Sequence, residues 1–450
     1  MAKVVKIKKG LDIKLKGKAD KILEKPDRAG LFALRPTDFK GLTPKLAVKE
    51  GQEVKVGSPL FFDKYNPDIL FTSPVAGKVS AIVRGERRKI LEVVVEAGKK
   101  DEYESFVKAD PQSLDAKDIK ENLLKSGLWP SIRQRPYNVI ANPEDTPKFI
   151  YISTFDTAPL SPDMDYIFQD SEKSFQDGIN ALARLTKGKV RLGLNADFPP
   201  AKAFTEAKNV EQFQFSGPHP TGNPGIQIHH VDPINKGEVV WVVGPQDVVA
   251  IGRLFENGRY DASKTVALTG SEVLKPRYYK VTNGESIVNL VKDNVTSEKL
   301  RYISGNVLTG TRINADGYVG YYDSQITVIP EGDYYEFMGW AAPGVNKYSN
   351  NRSFLSWWAS KDAYTLDTNM HGGKRAYVVT GEYESVLPMD IYPVQLIKSI
   401  LVEDIDLMEK LGIYEVVEED MALCEFVCTS KIEVQSILSR GLDMMKKEMS

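Results

Sequence analysis

The spacing of apolar positions along the chain shifts from about two residues to about 3.6 and back, and the shifts mark out its parts. Over residues 1–100 the apolar pieces are short, at 47–48, 54 and 60–62, with Gly51 and Gly57 as turn positions between them. Ser73-Pro74-Val75-Ala76-Gly77 then breaks the chain before an alternating run at 78–83 and a strand at 90–96. From residue 113 the period lengthens. Residues 113–126 place Ile119, Leu123 and Leu124 on one helix face, with Gly127 as the stop. Four strands are expected next, at 149–153, 190–194, 239–243 and 265–268. A helix carrying Phe175, Ile179, Leu182 and Leu185 lies between the first two, and one carrying Val248, Ile251, Leu254 and Phe255 between the last two. Strands alternating with helices imply a mainly parallel sheet covered on both faces. Two more helices are expected near 394–409 and 431–447.

Composition narrows the class. With 450 residues the chain is long enough for roughly three domains, and 42% hydrophobic with 27% charged residues fits a folded protein. Lys plus Arg is 59 against 61 Asp plus Glu, a balance that argues against a general nucleic-acid binder. The longest uncharged stretch, 212–231, contains Pro218, Pro220 and Pro224, so no spanning helix is expected. The basic start, residues 1–9, lacks the apolar centre of a secretory signal. Two cysteines, Cys424 and Cys428, make no disulfide framework and point to the cytosol, and four histidines leave little material for a metal site.

The first unit resembles the biotinyl/lipoyl-like sandwich through Val48-Lys49-Glu50-Gly51-Gln52-Glu53-Val54, then Gly57, Ser73-Pro74 and Gly77. Lys64 lies near the position of a lipoyl lysine, but Tyr65-Asn66-Pro67 follows it and the loop to Ser73 is long, so a plain surface lysine is expected. Further on, Gly270-Ser271-Glu272-Val273-Leu274-Lys275-Pro276 and Val281-Thr282-Asn283-Gly284-Glu285 resemble the β-grasp soluble-ligand-binding (SLBB-like) motif. A parallel α/β unit before this motif and helices after it are shared by the flavin-bearing subunit of respiratory complex I and by the C subunit of the ion-translocating ferredoxin:NAD reductase. Those relatives cradle flavin and NADH on a glycine-rich loop. The corresponding stretch here is Gly127-Leu128-Trp129-Pro130-Ser131-Ile132-Arg133-Gln134-Arg135-Pro136, whose bulk would fill the space a backbone needs beside a pyrophosphate. No G-x-G-x-x-G and no P-loop occur anywhere. Arg133 and Arg135 could contact an anion or a docking partner.

The C-terminus resembles a ferredoxin without its ligands. Cys424 and Cys428 fit the last C-x-x-x-C of one cluster motif, but Met421 and Glu418 stand at its first two positions. The other motif would end at Leu387-Pro388, with Tyr383, Thr380 and Tyr377 ahead of it. A [4Fe–4S] cluster needs four thiolates, so neither site can be filled.

Between Tyr318 and Tyr364 there are 12 aromatic residues in 47, against 10% for the whole chain. Such density suits either a protein or membrane-proximal interface or a core with satisfied tyrosines. Its central run, Phe337-Met338-Gly339-Trp340 through Pro343-Gly344, Lys347 and Ser349, together with the features above, resembles the A subunit of the sodium-translocating NADH:quinone oxidoreductases over nearly the whole chain.

The resemblance implies an α/β multi-domain protein. Its parts would be a biotinyl/lipoyl-like barrel-sandwich (1–100), a Rossmann-like α/β domain (101–260), a β-grasp SLBB-like domain (261–330), an aromatic-rich connection (331–375) and a helical, degenerate ferredoxin-like domain without clusters (376–450). It also implies a peripheral subunit on the cytoplasmic side of the bacterial inner membrane, in a complex that oxidises NADH, reduces ubiquinone or menaquinone and exports Na⁺. The NADH, flavin and iron–sulfur sites would belong to other subunits, with no cofactor bound by this chain, and the membrane-embedded B subunit would be its main partner. The rival reading is a stand-alone flavin-dependent NADH dehydrogenase. Two stretches mix apolar surface with arginine, residues 30–39 and 129–135, which gives Arg35, Phe39, Trp129 and Arg133 as quinone-binding candidates. The same residues could equally be packing or docking residues.

Overall fold

The computed structural model describes residues 4–449 except 298, 340, 346, 351, 352 and 359–361. Trp340 and Asn346 of the aromatic motif therefore lie outside the described residues.

The chain folds as a mixed α/β protein with several sheets. A four-stranded antiparallel sheet, in the order Leu31–Leu34, Ile90–Ala97, Gly77–Arg84 and Glu53–Val54, joins a three-stranded one of Pro44–Leu46, Pro59–Asp63 and Leu70–Thr72. Between them Phe61 and Phe71 stack at 4.7 Å with Val79, Val93 and Leu60 buried around them, so the two sheets close into a barrel-sandwich. Gly51 and Gly57 hold φ of +85° and +93° at the turns, a backbone that glycine adopts without strain.

The second sheet has seven strands, in the order Val4–Lys6, Val210–Ser216, Val190–Asn195, Ile150–Ser153, Val240–Val243, Ile132–Arg135 and Val139–Ile140. The first five are parallel and the last two antiparallel. Ile150–Ser153 and Val240–Val243 are buried along their whole length, as central parallel strands must be. Helices Glu172–Ala183 and Pro245–Asn257 pack so closely that a Cβ on Gly178 would lie 2.0 Å from the Val248 carbonyl, and one on Gly252 1.8 Å from that of Ser174.

The fourth expected strand, near 265–268, is part of the next sheet rather than of this one. Ser263–Thr269 lies in a six-stranded sheet ordered Thr311–Ile313, Leu300–Ser304, Gln325–Pro330, Ser263–Thr269, Arg277–Thr282 and Asp20–Glu24. Val4–Lys6 and Asp20–Glu24 each close the edge of a sheet built from residues far away in the chain.

The C-terminal helices are Glu382–Val386, Pro393–Leu401, Ile405–Lys410, Ala422–Val427 and Val434–Met449, packed on a core of Leu396, Ile397, Met408, Leu442 and Met445. The single helix expected over 394–409 is broken because Glu403 turns to φ +58° and Asp404 starts the next helix, its carboxylate accepting the Leu407 N–H at 3.0 Å.

Candidate functional site

Three sheets meet where residues 35–39, 127–133 and 320–323 come together. After Leu31–Leu34 a short turn, Pro36–Asp38, holds Arg35 and Asp38 as an ion pair at 3.0 Å. Asp38 also accepts the Tyr321 N–H at 3.0 Å, so one carboxylate fastens the sandwich to the loop leading into Gln325–Pro330. Phe39 is buried in an aromatic set, with Phe71 at 4.6 Å, Tyr321 at 4.9 Å and Tyr322 at 5.7 Å. The Tyr322 hydroxyl donates to the Pro130 carbonyl at 2.6 Å and that of Tyr321 to Gly127 at 3.3 Å. The Arg133 guanidinium lies over the Tyr322 ring, 5.1 Å from its centre. The structure thus brings the two arginine-bearing stretches together through Tyr321 and Tyr322.

Behind these tyrosines is a cavity of about 60 Å³ lined by Asp247, Tyr260, Lys264, Asn283, Tyr321 and Asp323, among others. It has room for a few waters and is far below the roughly 300 Å³ at which small-molecule sites begin. Lys264 donates to the carbonyls of Gly320 at 2.7 Å and Tyr321 at 3.1 Å. Desolvation pushes its pKa down to about 8 against the pull of Asp323, Asp247 and Asp38. Burial pushes Asp247 up to about 6, opposed by Lys264, Arg133 and the Gly244 N–H. The phenols of Tyr260, Tyr321 and Tyr322 are held protonated by the same burial. Sequence reasoning missed Asp247, Lys264 and Asp323, which are ordinary surface residue types in pattern. Tyr321 and Tyr322 carried a signal, as a doublet within the aromatic-rich run.

The loop that would cradle a dinucleotide is solid. Gly127 caps helix Ala116–Ser126, and a Cβ on it would lie 2.2 Å from the Thr72 hydroxyl. Trp129 is fully buried, edge-on to Trp241 at 5.4 Å, and its indole N–H donates to the Ala141 carbonyl at 2.8 Å. Leu128 and Ile132 fill the rest. Backbone N–H groups have no open space there in which to meet a pyrophosphate, so flavin and NADH do not fit this loop.

Three family models match successive stretches of the chain. Residues 5–98 match the NqrA N-terminal barrel-sandwich hybrid domain, residues 114–260 the NqrA second alpha/beta domain, and residues 265–315 the NQRA C-terminal domain. The A subunit of the Na(+)-translocating NADH-quinone reductase of Hahella chejuensis is 39% identical over 99% of this chain and 100% of its own. The chain belongs to the NqrA family, the A subunits of Na(+)-translocating NADH-quinone reductases. The A subunits of Neisseria meningitidis and Yersinia pestis are each 38% identical, again over 99% of this chain and all of theirs. An NAD⁺-reducing [NiFe]-hydrogenase structure superposes on 75% of this chain and 62% of its own at 11% identity and TM-score 0.41, too weak a likeness to bear on fold or function.

In this NqrA-family chain, Arg135 is turned inward. It is 2% exposed, with Asp420 at 2.8 Å and Glu419 at 2.6 Å, so it offers no charge to an external anion or docking partner. Cys424 and Cys428 are both buried. Burial raises the Cys424 thiol well above its ordinary range, and the Cys428 sulfur accepts the Ile432 N–H at 3.4 Å. Tyr383, Leu387 and Met421, at three of the cluster-ligand positions, fill the same core, so no cluster fits. No helix among the described residues is long and apolar enough to cross a membrane.

Proposed function

We propose that this chain serves its complex as a redox-silent peripheral subunit. In this reading it sits on the cytoplasmic side of the bacterial inner membrane, docks on the membrane-embedded B subunit, and lends a wall to the quinone site. The complex as a whole oxidises NADH, reduces a quinone and exports Na⁺, with its flavins and iron–sulfur centre in other subunits. The observation that carries the reading is the filled loop at Trp129, supported by a C-terminal core that holds two buried thiols. Its quinone contact is assigned to the outer side of the seam around Tyr321 and Tyr322, where Tyr322 and Arg133 are half-buried, with the buried Arg35 and Tyr321 supporting it from behind. Phe39 and Trp129 are buried and hold that seam in shape. The cavity behind it is too small for a quinone ring, so the ring has to lie against this chain from outside, with another subunit closing the other face.

Photo-crosslinking with a quinone analogue tests this on the assembled complex and on the isolated chain. Labelling within 30–39 or 129–135 is expected in the complex only. Labelling of the isolated chain to the same extent would make it the owner of the site. A stoichiometric flavin or iron spectrum after gentle purification would overturn the redox-silent role and favour the flavin-dependent dehydrogenase.

A further inference from the structure

The N-terminal segment crosses the surface as an extended strap between two sheet edges. Val4–Lys6 closes the seven-stranded sheet and Asp20–Glu24 the six-stranded one. Between them Ile7, Ile13 and Ala19 turn inward, while Lys6, Lys8, Lys14, Lys16 and Lys18 are exposed. Residues 4–25 contain eight lysines and three acids. Among the described residues only Lys21 of these lysines has an ion pair, to Asp163 at 2.6 Å. Two of the acids are engaged elsewhere: Asp12 accepts the His219 N–H, and Glu24 pairs with Arg277. Alternate residues of an extended strand lie roughly 7 Å apart, within the Debye length of physiological salt, so the ammonium groups repel one another.

The strap is joined to the aromatic-rich segment. Lys16 N–H donates to the Tyr364 carbonyl at 2.9 Å and Tyr364 N–H to the Lys14 carbonyl at 2.8 Å, with Leu15 and Tyr364 in parallel register. The Tyr364 ring meets Tyr348 edge-on at 5.4 Å. Beyond these two tyrosines the segment turns outward: Tyr335 is fully exposed, Phe337 92% exposed and Trp358 83% exposed.

This combination separates two kinds of partner. Protein interfaces enrich aromatics and arginine but deplete lysine, because an ammonium is costly to strip of water. A lipid headgroup layer takes both: lysine stems lie along the boundary with their charges in the phosphates, and Trp, Tyr and Phe sit at the level of the carbonyls. We propose that the lysine strap and the aromatic segment together form a docking face for an anionic lipid surface. This rests on the peripheral placement proposed above and adds a direct lipid contact to it.

The test is sedimentation of the full chain with vesicles of phosphatidylcholine alone or mixed with phosphatidylglycerol, at low and high salt. The chain is expected to bind the anionic vesicles at low salt and leave the neutral ones in solution. Replacing three lysines together (Lys14→Gln, Lys16→Gln, Lys18→Gln) should weaken binding about a hundredfold, a factor of about five for each charge. The pair Phe337→Ser and Trp358→Ser should weaken it with the lysines intact. All five side chains are exposed, so the urea midpoint should not move. Equal retention on neutral and anionic vesicles, or a triple variant that binds like the parent, would overturn the proposal. So would a chain that ignores vesicles yet captures the detergent-solubilised B subunit through these lysines, making the face a protein interface. Capture of the B subunit, measured in parallel, keeps the two readings apart: its loss in the parent chain counts against the peripheral-subunit role, not against the lipid face.

Discussion

Replacing Arg135 by methionine should loosen the C-terminal helices from the seven-stranded sheet. The guanidinium ends strand Ile132–Arg135 and holds Asp420 at 2.8 Å and Glu419 at 2.6 Å in the turn Glu418–Met421. Both side chains of the Arg135–Asp420 pair are buried, and Asp420 also accepts the Val417 N–H at 3.1 Å. A Cβ on Gly225 would lie 2.3 Å from both the guanidinium and the Asp420 carboxylate, so backbone rather than water closes over the pair. Removing the cation leaves a carboxylate in a site that burial already disfavours, at a cost of about 3–5 kcal/mol. Burial raises the Asp420 pKa and Arg135 opposes that rise, so in the variant the pKa climbs further. A folded-state pKa above the unfolded value means stability falls as pH rises between the two values. The variant should therefore lose most at neutral pH and recover part of the loss in acid. Urea unfolding followed by tryptophan fluorescence measures both effects, and a second variant completes a cycle. Arg135→Met with Asp420→Leu replaces the pair by apolar side chains and should return to within about 1 kcal/mol of the parent. A single variant that costs less than about 1 kcal/mol, or a double variant whose loss equals the sum of the singles, would refute the argument.

Lys264, held near 8, should destabilise the fold below that pH and cease to do so as pH rises toward 10.5. Relative to Lys264→Gln, the parent should gain about 3 kcal/mol over that window in urea titrations, and a flat difference would contradict the assignment. Trp129→Ala should cost about 3–5 kcal/mol and create no flavin binding, checked by FMN fluorescence quenching, because removing one side chain does not supply a row of free N–H groups. Gly178→Ala should lower the thermal midpoint by forcing apart the two helices that meet at Val248, costing about 1–3 kcal/mol, and an unchanged midpoint would show that the helices can slide.

Period and punctuation are enough to locate most elements. The helix ending at Gly127, the helices around Ile179 and Ile251, and the central strands follow from local spacing and from glycine or aspartate at their ends. Strand Val210–Ser216 is absent from the expected set although Phe213 and Phe215 alternate with polar residues, because it runs directly into a proline-rich stretch that reads as a connector. The pairing of Val4–Lys6 with Val210–Ser216 and of Asp20–Glu24 with Arg277–Thr282 carries no local signal. A short strand of valine and lysine fits many edges, and only the folded sheets offer the particular ones it takes.

Site chemistry divides in the same way. That six of the eight cluster-ligand positions lack a thiol, and that there is no glycine cradle, is a matter of residue identity, and the sequence alone determines it. Residue identity could not tell Arg133 from Arg135, two positions apart on one strand. Alternate residues on a strand lie on the same face, so pattern treats the two alike. Tertiary structure separated them by what each one meets: Arg133 rests on the Tyr322 ring, and Arg135 is locked onto Asp420, 285 residues away. Burial and long-range partners decide the charge and reach of a side chain, and neither exists until the sheets and helices have packed.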